Sequence, residues 1–395
     1  MYNAVAKMRI KTQIVDAATG AIVKDNPERE NLIFDYGLTS FAGGNALSAS
    51  AASSFTRCRI GSGTQPTSIN SGAITLTSVG TALTASSGFF TARMVGALIK
   101  MDASGSAGQE FYIASVTSGT LATAATAPSP DVAAEFFTVW FVQELALETL
   151  LYSSSTYQTN SGDCQSTVTG GTITHKRTFT FPVQAGSYNV NEIGYDTGSG
   201  NLTGRIVLPS TDTVAPTNFY VVIMSLSLAY TPRVPTAVAS VGTNIDTAGN
   251  AIIEFFNVAY VNSAGATTRN GTYALLEPAE MINTITLCFA TATYSQPAST
   301  PDAIANSPSP YTTQKIEFTG LPVKTNPSIG VAVLTWSSVS LTTSGQTLYG
   351  FGLTDNGSNR VPFDIKFTAT VTAPTGTMQL TGITFQIRFS RVLVN

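Results

Sequence analysis

One acidic residue, Glu192, raises the question of catalysis. It lies in the stretch TFTFPVQAGSYNVNEIGYDTGSGNLTGRIVLPS (178–210), which the alternation of apolar and polar residues predicts to be strands joined by turns. A general acid or base could be built from this carboxylate, but glycoside hydrolysis needs two carboxylates at a defined separation. A lone buried acid must instead be hydrogen-bonded, commonly by backbone N–H groups of a turn. The sequence therefore favours a structural role for Glu192.

The other residues that could act in nucleophilic or redox chemistry do not form a motif. His175 is the single histidine, and the chain has no GxSxG segment, so a histidine-based triad is not supported. Cys58, Cys164 and Cys288 are far apart and form no CxxC pair. Cys288, within TITLCFATA, is predicted to be a small core residue. We predict no catalytic residues.

Metal and phosphate motifs are incomplete. The segment TDNGSNRVPFD contains Asp355, Asn356, Asn359 and Asp364, but its spacing does not match a calcium loop and the closing Glu is missing. An Asn-Gly turn explains it better. The glycine-rich stretches GSGTQPTS and DTGSGNLTG lack the GK[ST] ending of a phosphate loop. No cofactor-binding or metal-binding residues are predicted.

Three aromatic residues could bind carbohydrate. Trp336 in LTWSSVS and Tyr349 and Phe351 in LYGFG are candidates for stacking on a sugar ring. Stacking is plausible because a pyranose face presents apolar C–H groups to an aromatic side chain. Core aromatics are common in β-sandwiches, so burial in the core is the favoured interpretation.

Composition excludes several classes of partner. Only 11% of the residues are charged, the net charge is −3, and Ser and Thr make up roughly a quarter of the chain. No strong single-sign field exists to capture nucleic acid. No apolar run reaches the length of about 18 residues needed to insert into a membrane, and no Sec-type signal is visible. We expect a protein made in the cytosol, with a hydroxyl-rich surface that can pack against neighbours without desolvating many ions.

Period-two alternation runs through most of the chain, and helical periodicity is rare. The pattern predicts an all-β protein of antiparallel β-sandwich or jelly-roll-like domains with very little helix. One short helix is predicted in ENLIFDYGLTSFAGG from Leu32, Ile33, Tyr36 and Phe41, ending at Gly43-Gly44. The segment QELALETLLYSSSTY is predicted to be an irregular or helical connector, and FFTARMVGALIKM a strand.

Loop-forming stretches and a change in pattern predict the domain organisation. We expect an N-terminal β-sandwich made of residues 1–87 and 143–234, interrupted by a small β module at 88–142. The two prolines of TPRVPTAVASVG mark a boundary near 231–238. A C-terminal β-sandwich domain is expected at 235–395.

Several segments, taken in order, resemble virion structural proteins of tailed bacteriophages. FTFPVQAGSYNVNEIGYDTGSGNLTGRIVLPS resembles a segment of such proteins in which a strand precedes an "nEiGl/y" turn and an "lfsRivl" strand, here with Glu192 and Arg205. ENLIFDYGLTSFAGG is similar to their "NlItdaGL" helix, and RIGSGTQPTSINSGAITLTS to a following loop. The resemblance covers residues 1–87 and 143–232. The C-terminal strands are similar to those of tail and fibre proteins only in their residue pattern.

The resemblance implies a non-enzymatic structural component of a phage tail, baseplate, neck or fibre attachment region. Such a component would be a homo-oligomer whose partners are copies of itself and other virion proteins, assembled in the host bacterial cytoplasm. The alternatives are a carbohydrate-binding adhesin tip that attaches to a host surface glycan, a capsid decoration protein, and an all-β hydrolase.

Overall fold

The chain folds mainly as β-strand. The structure, a computed structural model, describes residues 2–42, 55–102, 108–158, 164–167, 172–198, 200–230, 249–252, 285–292, 315–318, 320, 322–355, 363–373 and 375–393. More than half of its residues lie in strands that form large antiparallel sheets, and very few lie in helix. The predicted all-β fold is therefore confirmed.

The described elements, in chain order, are β1 (Tyr2–Asp16), β2 (Ile22–Asp25), β3 (Arg29–Ile33), α1 (Asp35–Phe41), β4 (Arg57–Gly61), β5 (Ser68–Asn70), β6 (Leu76–Val79), β7 (Ala82–Ala85), β8 (Leu98–Met101), β9 (Glu110–Val116), β10 (Leu121–Ala124), β11 (Phe137–Trp140), β12 (Leu150–Ser154), β13 (Tyr157–Gln158), β14 (Cys164–Thr167), β15 (Thr172–Phe181), β16 (Tyr188–Asp196), β17 (Leu202–Val214), β18 (Asn218–Tyr230), β19 (Gly249–Ile252), β20 (Ile285–Ala290), β21 (Lys315–Phe318), β22 (Val323–Thr325), β23 (Val331–Ser344), β24 (Thr347–Asp355), β25 (Phe363–Thr372) and β26 (Thr375–Arg391).

The largest sheet has the strand order β12-β4-β16-β17-β3-β1-β18-β15-β13, with β2, β14, β22, β23 and β26 attached beside this path. We call it the main sheet. Strand β1 lies near its centre and pairs along its length with β18, from Ala4–Tyr230 to Asp16–Asn218. Alternate residues of β1 face the core because side chains along a strand point to opposite faces; they are Ala6, Met8, Ile10, Thr12 and Ile14.

The second edge of β1 is shared by three strands. Tyr2–Ala6 pairs in parallel with Ile387–Arg391 of β26, and β3 and β2 then take the rest of the edge in turn. The first and last strands therefore lie side by side. Phe389 of β26 is buried, and its ring centroid lies 6.1 Å from that of Phe41 in α1. N-terminal and C-terminal strands contribute to one continuous core.

A second sheet of seven strands has the order β5-β11-β8-β9-β10-β7-β6 and encloses its own apolar core. We call it the small sheet. A third cluster of buried side chains joins it to the main sheet. Its members are Leu32, Phe34, Leu98, Trp140, Val142, Leu147 and Leu202. A third sheet, β19-β25-β24-β20-β21, is formed by C-terminal strands.

The predicted domain boundaries run between strands that pair. The small sheet contains β5, β6 and β7 of residues 68–85 as well as the strands of 88–142. Likewise β26, from the predicted C-terminal domain, pairs with β1. The four-part division stays a prediction.

Three local predictions need correction. The helix begins at Asp35, because Leu32 and Ile33 pair with Arg205 and Gly204 as part of β3. FFTARMVGALIKM is a strand only from Leu98, since it contains a 3-10 turn at Ala92–Met94 followed by Gly96 at φ 82°. The predicted connector at 143–157 contains the strand β12, which pairs with β4. In each case long-range pairing or a glycine overrides the local pattern. Gly43-Gly44 lies outside the described residues.

We expect Phe389→Ala to destabilise the N-terminal strands as well as the C-terminal ones, because the ring fills a core that both share. Truncating a buried Phe costs about 3–5 kcal/mol of unfolding free energy. Urea unfolding followed by circular dichroism measures this loss. Arg388→Ala is the matched control, since Arg388 is exposed on the same strand and its loss should cost under about 0.5 kcal/mol. A variant whose main unfolding transition keeps the wild-type midpoint would contradict the shared core.

Candidate functional site

Glu192 is fully buried in β16 and is held by four donors. Its carboxylate accepts hydrogen bonds from the backbone N–H groups of Gly63 (3.1 Å), Glu148 (3.2 Å) and Thr149 (2.8 Å). The Nε of Arg205 donates the fourth, at 2.7 Å. A general acid or base must face a reactant, whereas every described contact of Glu192 is with a fixed group of the chain. The geometry matches the structural interpretation of this acid.

Arg205 connects Glu192 to the connector before β12 and to the loop after β4. It is 1% exposed, and its Nη1 donates to Glu144 at 2.8 Å while its Nη2 donates to the backbone oxygen of Gln65 at 2.9 Å. Glu144 in turn pairs with Arg93, whose guanidinium lies 3.7 Å from the centre of the Phe141 ring. Negative and positive groups therefore alternate from Glu192 to Arg93. We call these four charged residues the junction network, because they connect β16 and β17 of the main sheet to the small sheet.

Two glycines make room for Glu192. A Cβ on Gly61 would lie 2.6 Å from Glu192 Oε1, and one on Gly63 would lie 2.5 Å from the same atom. Such contacts are too close for any larger residue, so the GSG of this loop serves close approach between backbone and carboxylate. The sequence shows these glycines but not the acid they face, which is about 130 positions away.

Two further buried acids are bound in the same way. Asp196 is fully buried and accepts hydrogen bonds from Arg57 Nε (2.9 Å) and Arg59 Nε (2.6 Å). Asp212 is also fully buried and contacts Lys24 Nζ at 2.5 Å and Tyr220 Oη at 2.8 Å. Charge-assisted hydrogen bonds of this length are strong, and they hold distant strands in register.

The pKa of Asp212 is lowered by its partners. Burial on its own raises the pKa, but hydrogen bonds from Lys24, Asn26 and Tyr220 outweigh that effect. The same contact acts in the opposite direction on the phenol: burial and the neighbouring charge of Asp212 raise the pKa of Tyr220 well above its ordinary value. Asp212 is thus a fixed anion and Tyr220 a fixed donor over the neutral range.

Arg391 anchors the last strand to the helix. Its Nη1 lies 2.6 Å from Asp35 Oδ1 and donates to the backbone oxygen of Ile33 at 3.1 Å. Tyr112 of β9 and Gln143 also donate to Asp35, each at 3.2 Å. Burial raises the pKa of Tyr112 to about 12, with the charge of Asp35 as the second cause. One carboxylate thus ties the small sheet, α1 and β26 together.

The aromatic residues predicted to stack on sugars do not share one environment. Trp336 is 2% exposed in the main core, and its indole N–H donates to the backbone oxygen of Gly320 at 3.0 Å. Tyr349 is half-buried in β24. The backbone of Phe351 pairs with Phe289 of β20, and its side chain lies outside the described part. The structure places Trp336 in the core, the position that the sequence favoured over stacking.

The remaining predicted positions fall in strands or outside the description. The backbone of His175 pairs with Leu226 in β15, and that of Cys288 pairs with Gly352. Cys58 is a buried free thiol whose pKa is raised well above its ordinary value by burial. Asp355 ends β24 and Asp364 lies in β25, whereas Asn356 and Asn359 lie outside the described residues.

A small groove of about 20 Å³ lies between β1, the start of β3 and β17. Its lining contains one charged side chain, so it does not offer the paired carboxylates of a glycosidase. The lining residues are Ile10, Thr12, Asn26, Pro27, Arg29, Ile206, Leu208, Pro209 and Ser210.

Within the described ranges, no three His, Cys, Asp or Glu side chains come together as a metal site would require. In the same part of the chain, no helix has both the length and the apolar character for crossing a bilayer. Comparison with protein-family models, with curated proteins and with solved structures gave no match.

We expect Glu192→Gln to lower the free energy of unfolding by about 3–5 kcal/mol, because it leaves the Arg205 guanidinium buried without its nearest counter-charge. Chemical denaturation of the purified chain measures the loss. The matched control is Glu110→Gln, which changes an exposed acid that is 3.7 Å from Lys100. A Gln variant as stable as the control would show that the junction network does not support the fold.

Acid should destabilise the protein partly through Asp212. Its folded pKa is below the ordinary value of 3.8, so its contribution to stability is present above that value and is lost as the pH falls through the folded pKa. Asp212→Asn should reduce the slope of unfolding free energy against pH below about pH 4. Urea titrations at several pH values give this slope. An undiminished slope, equal to that of Glu110→Gln, would contradict this role.

Proposed function

We propose that this chain is a structural subunit of a tailed-bacteriophage virion, in the tail, baseplate, neck or fibre attachment region. In this role it acts through β-rich interfaces with copies of itself and with other virion proteins. It carries out no reaction.

The observation that supports the proposal most is the convergence of the phage-like segments on the junction network. Gly61, Gly63 and Gln65 come from RIGSGTQPTS, Glu192 comes from NEIGY, and Arg205 comes from the strand that follows it. These residues contact one another although they lie up to 140 positions apart in the chain. The resemblance lies in the order of these segments along the sequence. Its parts form one spatial unit, as expected when the matched residues serve a common structural purpose.

The burial and the hydrogen bonding of three acids support a structural role over a catalytic one. Glu192, Asp196 and Asp212 are all fully buried, and each is bound by at least two fixed donors. Enzymes commonly shift the pKa of a catalytic acid so that it exchanges protons near the working pH. Asp212 shows the reverse, since its partners stabilise the charged form. These carboxylates hold strands together.

The decisive experiment looks for the chain in particles. Tailed phage particles from the source of this sequence, purified on a density gradient, should contain its peptides at a constant molar ratio to the other structural proteins across the particle peak. Mass spectrometry measures that ratio, and immunogold labelling with antibodies to the chain locates it on the particle. Peptides that stay in the soluble fraction and are absent from the particle peak would refute the proposal.

A further inference from the structure

We propose that the outer face of β6, β7 and β10 in the small sheet is the surface on which a second copy of this chain docks. We call this surface the charge-free face; it consists of Thr77, Val79, Ala82, Thr84, Leu121 and Thr123. The inference rests on the proposed function, because it names the contact through which the copies assemble.

The strand register brings these side chains together on one surface. Val79 pairs with Ala82, and Thr84 lies between Thr77 and Leu121 on the neighbouring strands. The alternate residues of the same strands, such as Leu83 and Ala122, fill the core of the small sheet. Val79 is 74% exposed and Leu121 is 45% exposed, so two large apolar side chains meet solvent at opposite corners of a threonine-rich surface.

The surface is built from stretches without charge. Residues 60–92 and 111–130 contain no Asp, Glu, Lys or Arg. By contrast, the exposed face of β1 carries Lys7, Arg9 and Lys11, which form ion pairs with acids of β2, β3 and the segment between them. The exposed Asp131 accepts a hydrogen bond from the backbone N–H of Gly80 in the β6–β7 turn (3.0 Å), so one charge lies at the edge of the charge-free face.

The lack of charge on this face favours a second copy as its occupant. In a contact between two copies related by a two-fold axis, each patch faces itself, so any charge near the axis meets a like charge. Like charges brought together across an interface cost several kcal/mol. A face without charge avoids this penalty. A strongly charged partner, by contrast, would lose hydration here and gain no ion pair in return.

The face continues a surface that already forms a contact within the chain. On the same side of the small sheet, Leu98, Tyr112 and Trp140 lie in one cross-strand row and pack against the main sheet. The strands beyond that row, β10, β7 and β6, present the same side to solvent. One side of the small sheet is thus covered at one end and exposed at the other.

The charge-free face is large enough to form the centre of an interface, but not a whole interface. Three strands about 4.8 Å apart and four residues long span about 200 Å², whereas each partner of a standard interface buries about 800 Å². The turns around it are exposed and uncharged as well, at residues 80–81, 86–88 and 117–119. These turns supply the surrounding rim.

The test introduces a charge into the face. Val79→Lys and Thr84→Lys, made separately, should each lower the association constant of the chain at least about tenfold, because two copies would bring like charges together. Sedimentation velocity and light scattering over a range of concentrations measure association, and circular dichroism checks that the variants fold. Ile22→Lys is the matched control, since Ile22 is 55% exposed on β2, away from this face. It should associate like the unmodified chain.

The outcomes separate this inference from the proposed function. If the unmodified chain associates and both folded Lys variants associate equally well, the interface lies elsewhere and the inference is wrong, while the virion proposal stands. If the unmodified chain is monomeric at every concentration, the inference is wrong too. The particle experiment then decides the virion proposal independently. Should one Lys variant fail to fold, the other variant decides between these results.

Discussion

The fold depends on a buried ion pair, Glu192 with Arg205, that is surrounded by backbone donors. An isolated buried charge is expensive, and a buried pair is tolerated only when its remaining hydrogen-bonding positions are filled. Here three N–H groups, one backbone oxygen and Glu144 fill them. Because these groups come from three separate segments, the pair is satisfied only when the loop after β4, the connector before β12 and the β16–β17 hairpin are all in place. The interaction therefore favours one arrangement of the two sheets over looser ones.

Charge in this molecule has two separate structural uses. Inside, it forms specific contacts between strands that are distant in sequence, as at Asp196 and Asp212. On the surface it forms a ladder of weak ion pairs along β1. A chain with only 11% charged residues has few left for other surfaces, and the outer face of β6, β7 and β10 contains none. Low overall charge thus makes broad areas of threonine, serine and alanine available for contact.

The sequence was sufficient to predict the fold class, because period-two alternation in segments such as β18 reports directly on a strand with one buried face. It also indicated that Glu192 is hydrogen-bonded inside the protein. It could not show which groups bind this acid, since Gly63 and Thr149 are remote in sequence and glycine patterns do not identify their partners. The same limit explains the helix start at Asp35: Leu32 and Ile33 suit either helix or strand locally, and pairing with β17 decides between them. The parallel contact of β1 with β26 has no local signal at all.

That parallel contact affects how the protein is made. Tyr2–Ala6 is synthesised more than 380 residues before its neighbours Ile387–Arg391. At about 5–20 residues per second, roughly 20–80 s pass between the two events. During that time part of the edge of β1 lacks this neighbour, and unpaired strand edges promote aggregation. A chain that lacks Ile387–Arg391 would keep that edge without its neighbour, so β26 must be synthesised before the pairing of β1 is complete.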